Sequence, residues 1–437
     1  MKKLILVTAG LAFSLTNIKA QTPVYDSVEM GAQYANDIYY SLENGAVGTE
    51  VGDNWHLGFG MLPQGGPSSS VNVMANHVHG KVEVFSLGLP ASTHFTTLTA
   101  ADTIGKLTNN LYNSTFDWLW GAFNQTRVQS SPFDYGWGMY SLSTHNVEGD
   151  SLFIVNVGTE TYKMTVKKYV SNPVDSIAYT FRIAKWDNTN DQEITIYRKD
   201  GYTNKAFAYY DIVNQAEVNR EPDFGTWDLL FTRYIDSASM GPSGPQVPYG
   251  VMGVLIAPEV EIAKSIDLDP LTADPNTASY SDTLNTIGYK WKSFNGTGYS
   301  LDSNASYFIK TASSNPKLFQ IHFTKFEGSS TGKTVFWVKD FGSLGFNNVT
   351  ASEAQLVIAP NPAGSFAQLV IDAKNAKNNT NITITDLSGR TVSHFTVNLN
   401  QGLNAFNLNL ESFSNGTYFV NLANADWRTT EKLIIQK

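Results

Sequence analysis

Two histidines stand two positions apart in NVMANHVHGKVEVF, His77 and His79. On a strand, side chains at i and i+2 leave the same face, so both imidazoles would be offered to one metal ion, or one to an iron and the other to a neighbouring contact. A zinc site normally draws three or four protein ligands, and His79-Gly80 also reads as a turn, so the pair taken alone fits a solvated hairpin end at least as well. His322, mid-strand in FQIHFTKF, reads as half-buried and structural, while His56, His94 and His145 show no pairing. The other suggestive residues are aromatic. FDWLWGAFN (116–124) and FDYGWGMY (133–140) cluster rings, and flat rings pack against a tetrapyrrole or a sugar face. Filling the space between two sheets is their ordinary use, and Trp118, Trp120 and Trp137 are the positions where these alternatives part.

Other patterns fail on their own chemistry. GSSTGKT (328–334) has one residue too few between its glycines for a phosphate-binding loop, and it joins two strands instead of opening a helix. Asp267, Asp269 and Asp274 in DLDPLTADPNT match no calcium-loop spacing, and their Asp-Pro pairs mark turns. No Gly-x-Ser-x-Gly elbow is present, and no carboxylate pair suggests glycoside hydrolysis. The reading is therefore of a protein that is not an enzyme and has no metal site of its own.

The elements that must carry these residues are strands. Aromatics make up 13% of 437 residues and charged residues only 16%, a balance that suits β-rich extracellular folds. SLFIVNVG, YKMTVKKY, LFQIHFTKF, KTVFWVKD and ITITDL alternate with period two, and Gly, Asn, Pro and Ser break them at short intervals. The net charge of −9 argues against nucleic acid as a partner. There are no cysteines, hence no thiolate ligands or nucleophiles. The opening MKKLILVTAGLAFSLTNIKA has the basic start, apolar stretch and small-residue end of a cleavable leader over 1–20. No later segment is long and apolar enough for a transmembrane helix.

The body repeats itself. DIYYSLENGAV (37–47) resembles FAYYDIVNQAEV (207–218), and each precedes a Trp-led strand, at Trp55 and Trp227. Trp137 pairs with Trp291, SLFIV (151–155) with SYFIK (306–310), YKMTVKKY (162–169) with FQIHFTKF (319–326), and YTFRIAKW (179–186) with TVFWVKDF (334–341). The order predicts two tandem antiparallel β-modules, 21–200 and 201–345. A linker (346–355) then leads to a compact unit of five to seven short strands over 356–437, which reads as a small β-sandwich.

Two resemblances follow. APNPA (359–363), ITDLSGRTV (384–392), LNLESFSNGTYFVNL (408–422) and EKLIIQK (431–437) resemble the type A C-terminal sorting domain of the type IX secretion system of Bacteroidetes. That implies passage through the periplasm, the secretion translocon and its sorting peptidase as partners, and a final place outside the cell or on its surface. YYDIV, TWDLLFTRY, WKSF, SYFIKTA and FQIHFTKF resemble the HmuY-type haemophore family, with 30–187 as a divergent copy. This implies a secreted, non-catalytic binding protein that takes haem or a related tetrapyrrole. Axial ligation would need His or Met donors facing each other. The family places one ligand just after the Trp-led strand, where this chain has Thr232 and, in the first copy, Gly60 followed by Met61. The second lies in a later loop, in the stretches holding His77 and His79, and Met240 and Met252. The candidate haem ligands are thus His77, His79, Met61 and Met252. The alternative is a surface adhesin or glycan binder that keeps the fold without haem.

Overall fold

A computed structural model describes residues 22–63, 71–171, 176–239, 244–266, 269–312, 316–343, 354–387, 390–424 and 428–437. The leader, Met240 and most of the linker lie outside them. The chain divides into two compact units, 1–313 with 317–342, and 314–316 with 343–437. The all-β expectation holds. In the larger unit the strands are β1 (Val24–Glu29), β2 (Asn36–Ser41), β3 (Gly45–Val51), β4 (Leu57–Gly60), β5 (Val73–Ala75), β6 (Val82–Pro90), β7 (Gly138–Tyr140), β8 (Asn146–Gly149), β9 (Ser151–Val157), β10 (Glu160–Val170) and β11 (Ala178–Lys185). They continue as β12 (Gln192–Tyr197), β13 (Phe207–Asp211), β14 (Ala216–Val218), β15 (Leu229–Ser239), β16 (Gln246–Ile256), β17 (Glu261–Ser265), β18 (Lys292–Phe294), β19 (Tyr299–Leu301), β20 (Ser306–Lys310), β21 (Lys317–Phe326) and β22 (Lys333–Ser343). The single α-helix among the described residues, α1 (Ala91–His94), is one turn.

The repeats interleave. One lobe, lobe A, pairs a sheet of order β1-β22-β21-β20-β17 with a sheet of order β16-β15-β2-β3. The other, lobe B, pairs β12-β11-β10-β9-β6 with β14-β13-β4-β5. The opening strands of each copy therefore complete the sheets built from the later strands of the other. Both double-tyrosine strands are buried almost throughout, as strands covered on both faces must be. Tyr40 lies opposite Leu229 and Tyr210 opposite Leu57, so the two exchanges share one register. The Asp228 N–H donates to the Tyr40 carbonyl and the His56 N–H to that of Tyr210, both at 2.9 Å.

Aromatic packing repeats with the register. Tyr39 meets Trp227 edge-on at 5.0 Å, as Tyr209 meets Trp55 at 4.9 Å. Tyr40 meets Phe336 at 5.2 Å, as Tyr210 meets Phe181 at 5.2 Å. Edge-to-face pairs of this kind add about 0.5–1.5 kcal/mol beyond the area they bury. One sequence match needs correction. Met164 faces Phe153 while Ile321 faces Tyr307, so Phe153 corresponds to Tyr307, one position away from the match of SLFIV to SYFIK. A one-residue slip exchanges core for outer face: Phe153 and Val155 enter the lobe B core, and Tyr307 and Ile309 that of lobe A.

The smaller unit has a sheet of β23 (Ala354–Ala359), β24 (Phe366–Ala373) and β27 (Gly402–Asn409), and a second of order β26 (Thr391–Leu399), β25 (Lys377–Asp386), β28 (Gly416–Ala423) and β29 (Arg428–Ile435). Leu369, Ile371, Ile382, Val420 and Leu433 fill its core.

Candidate functional site

The two double-tyrosine strands bring together a buried polar cluster beside a cavity of about 90 Å³. Asp37, on β2, accepts from Arg220 Nη2 at 2.9 Å and from Thr232 Oγ1 at 2.6 Å. Arg220, which follows β14, also donates to the Val51 carbonyl at 3.1 Å, and it packs against the rings of Trp55 and Tyr209. An ion pair this deep is held by geometry: removing either partner leaves an uncompensated charge. Glu221 is buried next to it and accepts from the amides of Ala206 and Phe207 and from the Tyr209 hydroxyl. Burial pushes its carboxyl up to about 7.

His77 and His79 belong to this cluster. They do not sit on a strand. β5 ends at Ala75, His77 lies in the irregular stretch that follows, and His79 lies in the bend after it. His77 donates from Nδ1 to the Val82 carbonyl at 2.8 Å, which leaves Nε2 as a buried acceptor on a residue that lines the cavity. Burial lowers its pKa to about 4, so the ring is neutral. His79 places Nε2 3.6 Å from Asp37, and burial lowers its pKa as well. Its ring lies over Gly52, where a Cβ would stand 2.6 Å from it. Trp118 and Trp120 line the same cavity. Trp118 donates to the Ile256 carbonyl at 2.9 Å, and Arg127 lies over the Trp120 ring at 3.8 Å. Trp137 is core, with no exposure. Among the described residues, Trp55 Nε1, His77 Nε2, His79 Nε2 and Arg220 Nε are buried here without a hydrogen-bond partner. A space of this size takes a handful of waters, each needing about 10–15 Å³, or part of one small polar molecule.

A second and larger space opens at the end of lobe A, a cleft of about 770 Å³. Three basic side chains line it, Arg233, Lys290 and Lys292, and among the described residues no carboxylate does. The rings of Tyr34, Tyr249, Tyr289, Phe294 and Tyr299 form its walls. Phe294 and Tyr249 are 65% and 54% exposed, wide open for aromatic side chains. At the floor, Lys292 Nζ donates to the Met252 carbonyl at 2.7 Å and lies over Trp291 and Phe326.

Of the four candidate ligands, the two histidines lie together and the two methionines lie apart from them and from each other. Met61 is sealed in the lobe B core. Met252 packs into the lobe A core under the cleft, which among the described residues no histidine lines. His77 shares its cavity with Met74, a residue the sequence did not suggest, but that space is too small for a macrocycle. Thr232, at the position where the haemophore resemblance implies a ligand, is committed to Asp37. No group of three or more His, Cys, Asp or Glu able to hold a metal occurs among the described residues.

Residues 357–436 match the family described as the secretion system C-terminal sorting domain. No relative is found among curated proteins. A solved structure, dimeric latent PorU from Porphyromonas gingivalis, is similar at 13% identity over 67% of this chain and 31% of that one, with a TM-score of 0.17, too low for the likeness to carry an argument. No helix among the described residues is long and apolar enough to cross a membrane. The C-terminal unit is a type IX sorting domain, and it marks the chain for export to the cell surface or beyond.

Proposed function

We propose that the exported protein is a non-catalytic binding protein that takes a tetrapyrrole, or a related planar and multiply anionic ring, into the basic cleft of lobe A. The sorting tail would present it to the type IX translocon and be removed by the sorting peptidase. One observation carries the ligand: three basic side chains and five rings line a space of about 770 Å³, with no carboxylate among the described lining residues, on a chain of net charge −9. Ligand sites commonly hold ~300–1,000 Å³ and combine apolar walls with a few placed charges. The ring and its carboxylates fit these residues. Axial ligation of iron by a His or Met pair does not, because among the described residues Met252 is the one such side chain lining the cleft and it is packed into the core.

The test is titration of the mature protein with haemin and with metal-free protoporphyrin. Both should bind with a shifted Soret band and similar affinity. Arg233→Gln combined with Lys290→Gln should weaken both by at least about tenfold, as loss of charge pairing does. An unshifted spectrum for both ligands would end the proposal.

The small cavity supports a second reading. Its unpartnered N–H groups and the neutral His77 acceptor, beside Trp118 and Trp120, offer donors and an acceptor to the hydroxyls of a sugar. Binding on a glycan array, lost in Trp120→Ala, would favour it.

A further inference from the structure

Lys292 occupies a place that its counterpart in lobe B leaves to tryptophan. There, Trp137 Nε1 donates to the Val71 carbonyl at 3.2 Å. The strand registers make Val71 the counterpart of Met252 and Gly138 the counterpart of Lys292. In lobe A the lysine has taken the equivalent carbonyl, and Trp291 Nε1 is buried without a hydrogen-bond partner among the described residues. The amine therefore sits at the floor of an open cleft, against two aromatic rings, with no carboxylate in ion-pair reach among the described residues. Burial lowers its pKa to about 7, so a large share of it is uncharged at neutral pH. Ordinary lysines titrate near 10.4 and are almost wholly protonated there.

We propose that Lys292 is a nucleophilic amine that forms an imine with an aldehyde bearing a phosphate or carboxylate group. The uncharged Nζ adds to the aldehyde carbon to give a carbinolamine. Loss of water then breaks the carbon–oxygen bond and leaves a C=N double bond, the water taking its oxygen from the aldehyde and both hydrogens from the amine. Arg233 and Lys290 line the same cleft and supply the charge that holds the anionic group. The exposed rings of Tyr249 and Phe294 offer faces to an aromatic aldehyde. Desolvation of a lysine in an apolar pocket is a recognised route to amine nucleophiles. The proposal shares the cleft with tetrapyrrole binding but does not depend on it.

The probe is pyridoxal 5′-phosphate, added to the mature full-length protein near neutral pH with sodium cyanoborohydride as the hydride donor that fixes the imine. Modified peptides are located by mass spectrometry. Lys292 should carry the dominant label, at least about tenfold above any other lysine, and Arg233→Gln should lower that label several-fold. Lys292→Met, which keeps the apolar stem, should abolish it while thermal unfolding stays cooperative. Label spread over surface lysines with no excess at Lys292 would overturn the proposal, and the site map of the parent protein decides this even if the variant fails to fold. Haemin titration of the same sample separates the two readings, since loss of Soret response leaves the labelling result intact.

Discussion

The two lobes share register, strand order and two aromatic contacts, yet one ends closed and the other open. In lobe B the β7–β8 hairpin bonds to β10, with Tyr169 opposite Val147. In lobe A the corresponding β18–β19 hairpin forms a two-stranded sheet of its own. Two substitutions account for this. Gly149 stands opposite Gly138, and Leu301 opposite Lys292. A Cβ at Gly149 would clash with the Val166 carbonyl and come within 2.8 Å of Trp137, so a leucine there cannot dock as the glycine does. Tyr299, where lobe B has Val147, sets its ring edge-on against Phe326 at 4.8 Å and wedges the hairpin away. The same scaffold therefore yields a packed end or a ligand-sized cleft according to two side chains on one hairpin, and function can differ between copies whose cores do not.

The hardest test of that contrast is Gly149→Ala. The new methyl meets backbone, which cannot yield as a flexible side chain would, so the loss should be about 4–5 kcal/mol or more, in the range reserved for severe overpacking. Urea denaturation should show lobe B failing, and an unchanged midpoint would refute the docking account.

Next in size is the ion pair that joins the lobes' sheets. Asp37 belongs to a strand of lobe A, and Arg220 follows the edge strand of lobe B. Arg220→Met should cost about 3–4 kcal/mol because Asp37 is left buried and unpaired. Adding Asp37→Asn should recover a good part of it, and a strictly additive double mutant would show that the two groups are not coupled.

Much of this was readable beforehand, for a physical reason in each case. Period-two alternation exposed the strands, and the sorting unit announced itself through its turns and terminal order. The Tyr-Tyr and Trp-led segments revealed the repeat because each packs against the other and must keep its shape. The exchange between copies was hidden, since nothing local says whether Tyr40 pairs with Leu57 or with Leu229. Asp37 and Arg220 were missed for the same reason, being 183 residues apart. His77 and His79 were singled out, but their strand geometry was wrong because Gly80 closes a bend. Lys292 stood in plain view beside Trp291, and only the contrast with Trp137 gives its position meaning.

A smaller effect is expected from pH. Glu221 is raised from 4.5 to about 7 on folding, by burial first. Across that window the folded state holds a proton that the unfolded state has released, so stability falls as pH rises from about 4.5 to 7, and the full cost persists above. Asp228, raised from 3.8 to about 6, adds to the lower part of the slope. Glu221→Gln should flatten the upper part, a change of about 2 kcal/mol between the two ends of the window. A parent protein whose urea midpoint does not fall between pH 5 and 7 would show that Glu221 titrates normally.

The smallest energetic change should bring the sharpest structural one. Tyr299→Val with Leu301→Gly gives the lobe A hairpin the residues that lobe B uses at the corresponding positions. The added glycine costs about 0.5–1 kcal/mol in chain entropy, and new strand pairing with β21 offsets a similar amount, so net stability should move by less than about 1 kcal/mol. Amide exchange at the Phe326 end of β21 should slow as the hairpin docks, as the pairing of Tyr169 with Val147 leads one to expect. The closed hairpin would cover Lys292 and exclude ring-sized ligands from the cleft. If exchange at Phe326 stays fast while stability is unchanged, the hairpin is held open by something other than the bulk of these two side chains, and the contrast between the lobes lies instead in the lysine that has displaced the tryptophan from its carbonyl.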